Sequence, residues 1–245
     1  MPKPARYKRA LPGMTMERIL ITGASRGIGR AIAESLAGEG KTLLIHGRDA
    51  AALALTRRAV ESKGARAITL TFDLRDAEAL EAMVEQIGLE PLDLLVHNAG
   101  IAVVKPYTDI SVAEWMDTLA INVTAPFILT QKLAPQMPKH AAIVNILSIA
   151  AKTGFPGWSS YSMSKFALEG LSQSLREELR PRGIRVINIY PAATSTDIWN
   201  NVEGDWPREK MMSPKEVADA VSYALSRPTD VAVENITLSS TAGTL

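Results

Sequence analysis

The chain has 245 residues, of which 47% are hydrophobic and 22% are charged, and it contains no cysteine. This composition excludes collagen-like, coiled-coil and wholly disordered proteins, and the missing cysteines exclude disulfides and thiolate metal sites. The net charge is +1, and because residues 1–18 carry +4, the body of the chain carries −3. No nucleic acid partner is therefore expected, and since no run of 18 apolar residues occurs, no membrane partner either. We expect a cytoplasmic protein.

Short runs of branched and leucine residues alternate along the chain with longer segments of helical period. This alternation is typical of a parallel sheet, and the near-continuous apolar runs indicate strands covered on both faces. We predict a basic extension over residues 1–17 and one Rossmann-like α/β domain over 18–245, a doubly wound sheet of seven mainly parallel strands. The predicted strands are 18–22, 42–46, 67–72, 92–97, 141–146, 184–190 and 235–238, and the predicted helices are 26–38, 50–63, 76–87, 111–137, 160–180 and 214–226.

A glycine-rich turn follows the first predicted strand. The sequence TGASRGIG places Gly23, Gly27 and Gly29 between that strand and an amphipathic helix. Small residues at such a turn let main-chain N–H groups and the helix dipole approach a pyrophosphate. The pattern predicts a dinucleotide site, and the alternative is a tight turn that needs small residues only for packing.

The end of the second strand bears on the choice of dinucleotide. An acidic residue at this position holds a ribose 2′-hydroxyl, whereas an arginine accommodates a 2′-phosphate. Arg48 follows the second strand, and Arg26 lies within the glycine turn. Asp49 is the competing acid, but it precedes a helix and is better explained as its N-cap. The two arginines favour NADP(H) over NAD(H).

A tyrosine and a lysine are spaced for catalysis on one helix. Tyr161 and Lys165 are four residues apart, so both side chains lie on the same helix face. A free phenol has a pKa near 10, and we expect the nearby ammonium to lower it. Ser148 ends the fifth predicted strand, where its hydroxyl could bind a substrate carbonyl. A capping tyrosine and a solvated lysine are the alternative for the Tyr–Lys pair taken alone.

Asn122 precedes Pro126 by four residues within the long predicted helix. Proline has no N–H, so the main-chain carbonyl of Asn122 lacks its helical donor. We expect this carbonyl to hold a water linked to Lys165, which would provide a path for protons to Tyr161. The alternative is a proline kink without a role.

Together these residues resemble the single-domain short-chain dehydrogenases/reductases, over residues 18 to about 240. The resemblance extends to Asp73-Leu74 after strand three, to Asn98-Ala99-Gly100 after strand four, and to Pro191 with Thr196 after strand six. It implies a catalytic tetrad of Asn122, Ser148, Tyr161 and Lys165, with Tyr161 as general acid/base. The implied cofactor contacts are Gly23, Ser25, Arg26, Gly27, Ile28, Arg48, Asp73, Leu74, Asn98, Gly100, Tyr161, Lys165, Pro191, Thr194 and Thr196.

The expected function is an NADP(H)-dependent oxidoreductase that transfers hydride between nicotinamide and a small carbonyl compound or secondary alcohol. A non-catalytic NADP(H)-binding regulatory protein on the same fold is the alternative. His46, His97 and His140 lack metal-ligand spacing, so no metal is expected. By analogy with relatives, helices 111–137 and 160–180 are expected to pair copies into a homodimer or homotetramer.

Substrate choice is expected to lie in residues 150–160 and 192–212. These segments contain Phe155, Trp158, Trp199 and Trp206, which either line a pocket or serve only in packing. Lys152, Arg208 and Lys210 could bind a carboxylate, with solvated surface as the alternative for each. The C-terminal sequence is faintly similar to that of family members acting on small hydroxy acids or polar alcohols.

Overall fold

The structure is a computed structural model that describes residues 17–202 and 204–243. Apart from Glu17, the predicted N-terminal extension lies outside the described residues. The main-chain N–H of Glu17 donates to the carboxylate of Asp93 over 3.0 Å. Among the described residues, no helix is long and apolar enough to cross a membrane.

Seven strands form one sheet in the order β3-β2-β1-β4-β5-β6-β7, and every neighbouring pair is parallel. The predicted fold class is confirmed, and the sheet proves wholly parallel. The order reverses between β1 and β4, and in such sheets ligands bind at the carboxyl ends of the strands beside this point. The strands are β1 Arg18–Ile21, β2 Thr42–Gly47, β3 Arg66–Thr71, β4 Leu94–His97, β5 Ala142–Ile146, β6 Arg185–Pro191 and β7 Asn235–Leu238.

Helices cover both faces of the sheet because successive side chains of each buried strand point to opposite sides. Ile19 and Ile21 of β1 belong to one core cluster, to which α1, α2 and α7 contribute, whereas Leu20 belongs to a second cluster with α3 and α5. The helices are α1 Gly27–Leu36, α2 Ala50–Glu61, α3 Ala77–Ile87, α4 Val112–Leu119, α5 Ala125–Leu133, α6 Ser159–Leu179 and α7 Pro214–Leu225.

The predicted helix 111–137 is helical over most of its length, but its hydrogen-bond register changes within it. Between α4 and α5, residues Ala120–Thr124 form a π-helical segment, and the N–H of Ala125 donates to the carbonyl of Ala120. The segment lies directly before Pro126, which cannot donate the next helical hydrogen bond. Asn122 lies in this segment, so the change in register occurs at a predicted site residue.

Candidate active site

The glycine turn is folded tightly against the loop that follows β4. Gly23 and Gly27 have φ angles of +65° and +56°, a conformation that favours glycine. A Cβ on Gly29 would lie 2.2 Å from the carbonyl oxygen of Gly23. The amide Nδ2 of Asn98 donates to the carbonyls of Thr22 and Gly23 over 2.9 and 3.0 Å. Asn98, predicted as a cofactor contact, therefore also fixes the turn itself.

The start of α1 is suited to an anion. The helix begins at Gly27, no side chain caps it, and its first turn contains no acidic residue. Its first N–H groups have no intrahelical acceptors, and the helix dipole adds positive potential at this end. The residues present therefore fit a dinucleotide pyrophosphate.

His46 also holds the glycine turn, which sequence reasoning missed. Its Nδ1 accepts from the N–H of Gly23 over 3.3 Å, and its Nε2 lies 3.1 Å from the carbonyl of Phe72. These partners require the proton on Nε2. Burial lowers the pKa of His46 below its ordinary value, which favours this neutral form. A polar residue at the end of an otherwise apolar strand was the available signal.

The two arginines predicted to bind a 2′-phosphate each lie near a carboxylate. Arg48 Nη1 is 3.9 Å from Asp73, and Arg26 Nε is 3.7 Å from Asp197. All four side chains are partly exposed, so such pairs are weak and an incoming phosphate can compete for the arginines. Asp49 caps α2 by accepting from the N–H of Ala52, as its position predicts.

Asp73 and Leu74, which follow β3, have different surroundings. Arg75 binds the carboxylate of Asp73 and lowers its pKa to about 2, so Asp73 is ionised at neutral pH. The side chain of Leu74 is buried in the core. Leu74 can therefore contact an adenine only through its main chain.

Tyr161 and Ser148 line the same cavity beyond the end of β5. The hydroxyl of Ser148 accepts from the N–H of Ala150 over 3.1 Å, so its own hydrogen is available to an oxygen in the cavity. Burial raises the pKa of Tyr161 to about 12, and hydrogen bonding to Ser148 opposes this rise. The prediction that the pKa of Tyr161 is lowered is wrong for this structure, because desolvation of the phenolate outweighs the effect of its neighbours.

Lys165 lies one helical turn beyond Tyr161 and is buried. Its Nζ donates to the carbonyl of Ile146 over 2.9 Å and lies 5.5 Å from the centroid of the Tyr161 ring. Burial lowers the pKa of Lys165 to about 8, so the ammonium form predominates at pH 7. A Cβ on Gly100 would lie in ordinary van der Waals contact with Nζ, at 3.8 Å, so Gly100 lies directly beside the lysine.

Asn122 joins the loop after β4 to the helix that carries Tyr161. Its Oδ1 accepts from the N–H of Ile101, and its Nδ2 donates to the carbonyl of the same residue, each over 2.9 Å. Nδ2 also donates to Ser164 over 2.9 Å, and Ser164 donates to the carbonyl of Tyr161 over 2.7 Å. The side chain of Asn122 is thus a positioning group, and the water expected on its main-chain carbonyl stays a prediction.

The loop after β6 extends over the glycine turn. A Cβ on Gly27 would lie 3.2 Å from the methyl group of Thr196, which shows how closely the loop approaches. Thr194 is buried, and its hydroxyl donates to the carbonyl of Ala192 over 3.0 Å. One cleft extends from Ile28 of the glycine turn to the catalytic candidates. Its lining includes Ile28, Asn98, Gly100, Ser148, Tyr161, Lys165, Pro191, Thr194 and Thr196.

Comparison with known proteins agrees with this geometry. The family model for short chain dehydrogenases matches residues 17–206. The chain belongs to this family. It is 34% identical to the 3-oxoacyl-[acyl-carrier-protein] reductase of Aquifex aeolicus, over 84% of this chain and 89% of that protein. It is 35% identical to a ketoacyl reductase of Nostoc, over 91% of this chain and 79% of that protein.

The fold is similarly shared with solved structures. An angucycline C-6 ketoreductase with bound NADP superimposes with a TM-score of 0.81 at 28% identity, covering 91% of this chain and 94% of the other. This short-chain dehydrogenase is therefore an oxidoreductase, as its resemblance to the family predicts. Among the residues that the structure describes, no cluster of three or more His, Asp or Glu side chains could hold a metal ion.

The contact between Gly29 and Gly23 yields a prediction. Gly29→Ala forces a methyl group into the Gly23 carbonyl and the Asn98 amide, so we expect the unfolding free energy to fall by about 1–3 kcal/mol. NADPH binding should weaken in parallel because the turn must move. The matched control is Gly38→Ala at the end of the same helix, where nothing lies within 4 Å of the added Cβ. Urea unfolding in which both variants match the wild type would contradict this packing.

Proposed function

We propose that the protein is an NADP(H)-dependent carbonyl reductase or alcohol dehydrogenase in which Tyr161 is the general acid/base. The observation that supports this proposal is one cleft whose lining includes Tyr161, Ser148 and Ile28, the last of these from the glycine turn. A dinucleotide bound at that turn can extend its nicotinamide toward the tyrosine. The bound cofactor supplies or accepts the hydride.

The residues of this chain position the carbonyl and provide the proton. The hydroxyls of Ser148 and Tyr161 both donate hydrogen bonds to the carbonyl oxygen, which polarises the bond and accumulates negative charge at a prepared site. Tyr161 then transfers its proton to that oxygen as the alcohol forms. The ammonium of Lys165 holds the nicotinamide ribose and stabilises the phenolate that remains.

The protonated form of Tyr161 is the form that carbonyl reduction uses. With a pKa of about 12, Tyr161 is protonated at neutral pH and is ready to act as an acid. Oxidation of an alcohol requires the phenolate, and therefore a stronger positive field than the cavity residues provide alone. A water held by the main-chain carbonyl of Asn122 and linked to Lys165 would return a proton from bulk solvent to Tyr161 after each turnover.

Removal of the phenol oxygen tests this role directly. Tyr161→Phe should lower NADPH-dependent ketone reduction by about 10²–10⁴-fold, since the general acid is lost. The dissociation constant for NADPH, measured by fluorescence, should change little. Tyr107→Phe, which alters an exposed tyrosine outside the cleft, is the matched control. Undiminished turnover by Tyr161→Phe would refute the assignment.

The preference for NADP(H) is proposed from Arg48 and Arg26, and it is supported by similar structures solved with NADP. Arg48→Ala removes a charged partner of the 2′-phosphate and should lower the NADPH:NADH ratio of kcat/KM by about 10–100-fold. Arg57→Ala, on the exposed side of α2, is the control. If Arg48→Ala and the control have the same NADPH:NADH ratio of kcat/KM, Arg48 is not the cause of a preference for NADP(H).

A regulatory protein that binds the nucleotide without turnover is the less supported alternative. Such a protein has no need for a tyrosine, a serine and a lysine that converge on one cavity, and all three line the cleft here. The cytoplasmic location expected from the sequence stays a prediction.

We also propose that copies of the chain assemble through α4, α5 and α6. These helices expose Trp115, Met116, Phe127 and Phe166, and clustered apolar surface of this kind marks contacts between proteins. Light scattering should give two or four times the 26.5 kDa of one chain. Phe166→Glu should reduce that mass, whereas Leu55→Glu, an equally exposed position on α2, should not. A wild-type particle with the mass of one chain would exclude the assembly.

A further inference from the structure

A row of aromatic rings extends from Tyr161 along one wall of the cleft. The ring of Trp158 lies edge-on to Tyr161 at 5.5 Å between centroids, and Trp199 lies edge-on to Trp158 at 5.6 Å. Trp206 follows at 4.8 Å from Trp199, with the two rings tilted by 47°. We call Trp158, Trp199 and Trp206 the tryptophan wall. None of the three is needed for the proton or hydride transfer described above.

The wall is held in place before any substrate arrives. The indole N–H of Trp199 donates to the carbonyl of Thr194 over 2.9 Å, which fixes the central ring against the loop after β6. The edge-on contacts with its two neighbours restrict that ring further. A rigid aromatic surface loses little conformational entropy when a flat group packs on it.

The lining of the cleft also has many apolar side chains. They include Ile149, Ala150, Phe155, Ala193 and Ile198. Among the described lining residues, Lys165 is the one charged side chain, and one of its hydrogens goes to Ile146. A substrate carboxylate placed here would lose its hydration without gaining a dedicated cation, which is costly.

The three basic residues that could have bound a carboxylate do not line the cleft. The Nζ of Lys152 lies 4.0 Å from the centroid of the Tyr190 ring. Arg208 donates to the main-chain carbonyl of Thr196 over 2.6 Å. Lys210 is exposed on the short helical turn after the wall. The cleft therefore does not match the small hydroxy acids to which the C-terminal sequence is faintly similar.

We propose that the substrate is an uncharged ketone, or the matching secondary alcohol, whose carbonyl carries a flat aromatic group that packs on the tryptophan wall. This inference rests on the proposed function. In the reduction, the carbonyl carbon receives a hydride from the dihydronicotinamide and the oxygen receives the Tyr161 proton. The ketone is thereby reduced to a secondary alcohol, and the cofactor is oxidised.

Four substrates test the proposal: ethyl benzoylformate and ethyl pyruvate, which differ in the ring, and benzoylformate and pyruvate, in which a carboxylate replaces the ethyl ester. Measured by NADPH consumption, kcat/KM should be about a hundredfold higher for ethyl benzoylformate than for benzoylformate, because the acid buries an unpaired charge. The kcat/KM for ethyl benzoylformate should also be about tenfold higher than that for ethyl pyruvate, because ethyl pyruvate lacks the ring.

The wall itself is tested with Trp199→Leu. This variant should lower the ratio of kcat/KM for ethyl benzoylformate to that for ethyl pyruvate by about tenfold, so the preference for the ring disappears. Tyr223→Leu, at an exposed aromatic position on α7, is the control and should keep the preference. Equal or better use of pyruvate, or an unchanged ring preference in Trp199→Leu, would overturn the substrate class while leaving the proposed function intact.

A binding measurement separates the two proposals. Calorimetric titration of the Tyr161→Phe–NADP⁺ complex should show ethyl benzoylformate binding more tightly than benzoylformate, and this preference should depend on Trp199. That result together with no turnover of any ketone by the wild type would refute the proposed function and support only the binding of uncharged aromatic ligands at the tryptophan wall. Equal binding of ester and acid would refute the substrate class.

Discussion

The close contact between the glycine turn and the loop after β4 determines where that turn lies relative to Tyr161 and Lys165. Thr22 accepts from the N–H of Asn98, and three residues further on Ile101 is held by Asn122. Asn122 binds Ser164, which binds the carbonyl of Tyr161. Hydrogen bonds therefore connect the glycine turn with α6. The turn can approach the loop after β4 because Gly23 has no Cβ, which would lie 2.8 Å from the Cα of Ala99. This connection fixes the position of the glycine turn relative to Tyr161.

Burial then sets the chemistry of the charged groups. Desolvation raises the pKa of Tyr161 and lowers that of Lys165, because each shift disfavours a charge inside the cleft. The tyrosine is therefore kept as an acid, and its phenolate can form only where other charges stabilise it. The same burial disfavours a carboxylate in the cleft, which is the basis of the proposed uncharged substrate.

Much of the fold and of the candidate site could be predicted from the sequence, namely those features that depend on local sequence patterns. Apolar runs located all seven strands, and Asp49 was recognised as a cap because it directly precedes a helix. The π-helical segment before Pro126 could not be predicted, since a change in register depends on packing as well as on the missing N–H. The predicted direction of the shift in the pKa of Tyr161 was wrong, because the burial that raises this pKa is a property of the fold. The contact of His46 with Gly23 joins residues that are distant in sequence, and the tryptophan wall likewise requires two separate loops to meet.

The most direct test of this account is a crystal structure of the protein with NADP⁺ and an unreactive ketone analogue. The account predicts that the pyrophosphate lies on the first turn of α1 and that the analogue's oxygen accepts hydrogen bonds from both Ser148 and Tyr161. A nicotinamide ring directed away from Tyr161, or an analogue bound outside the cleft, would contradict it.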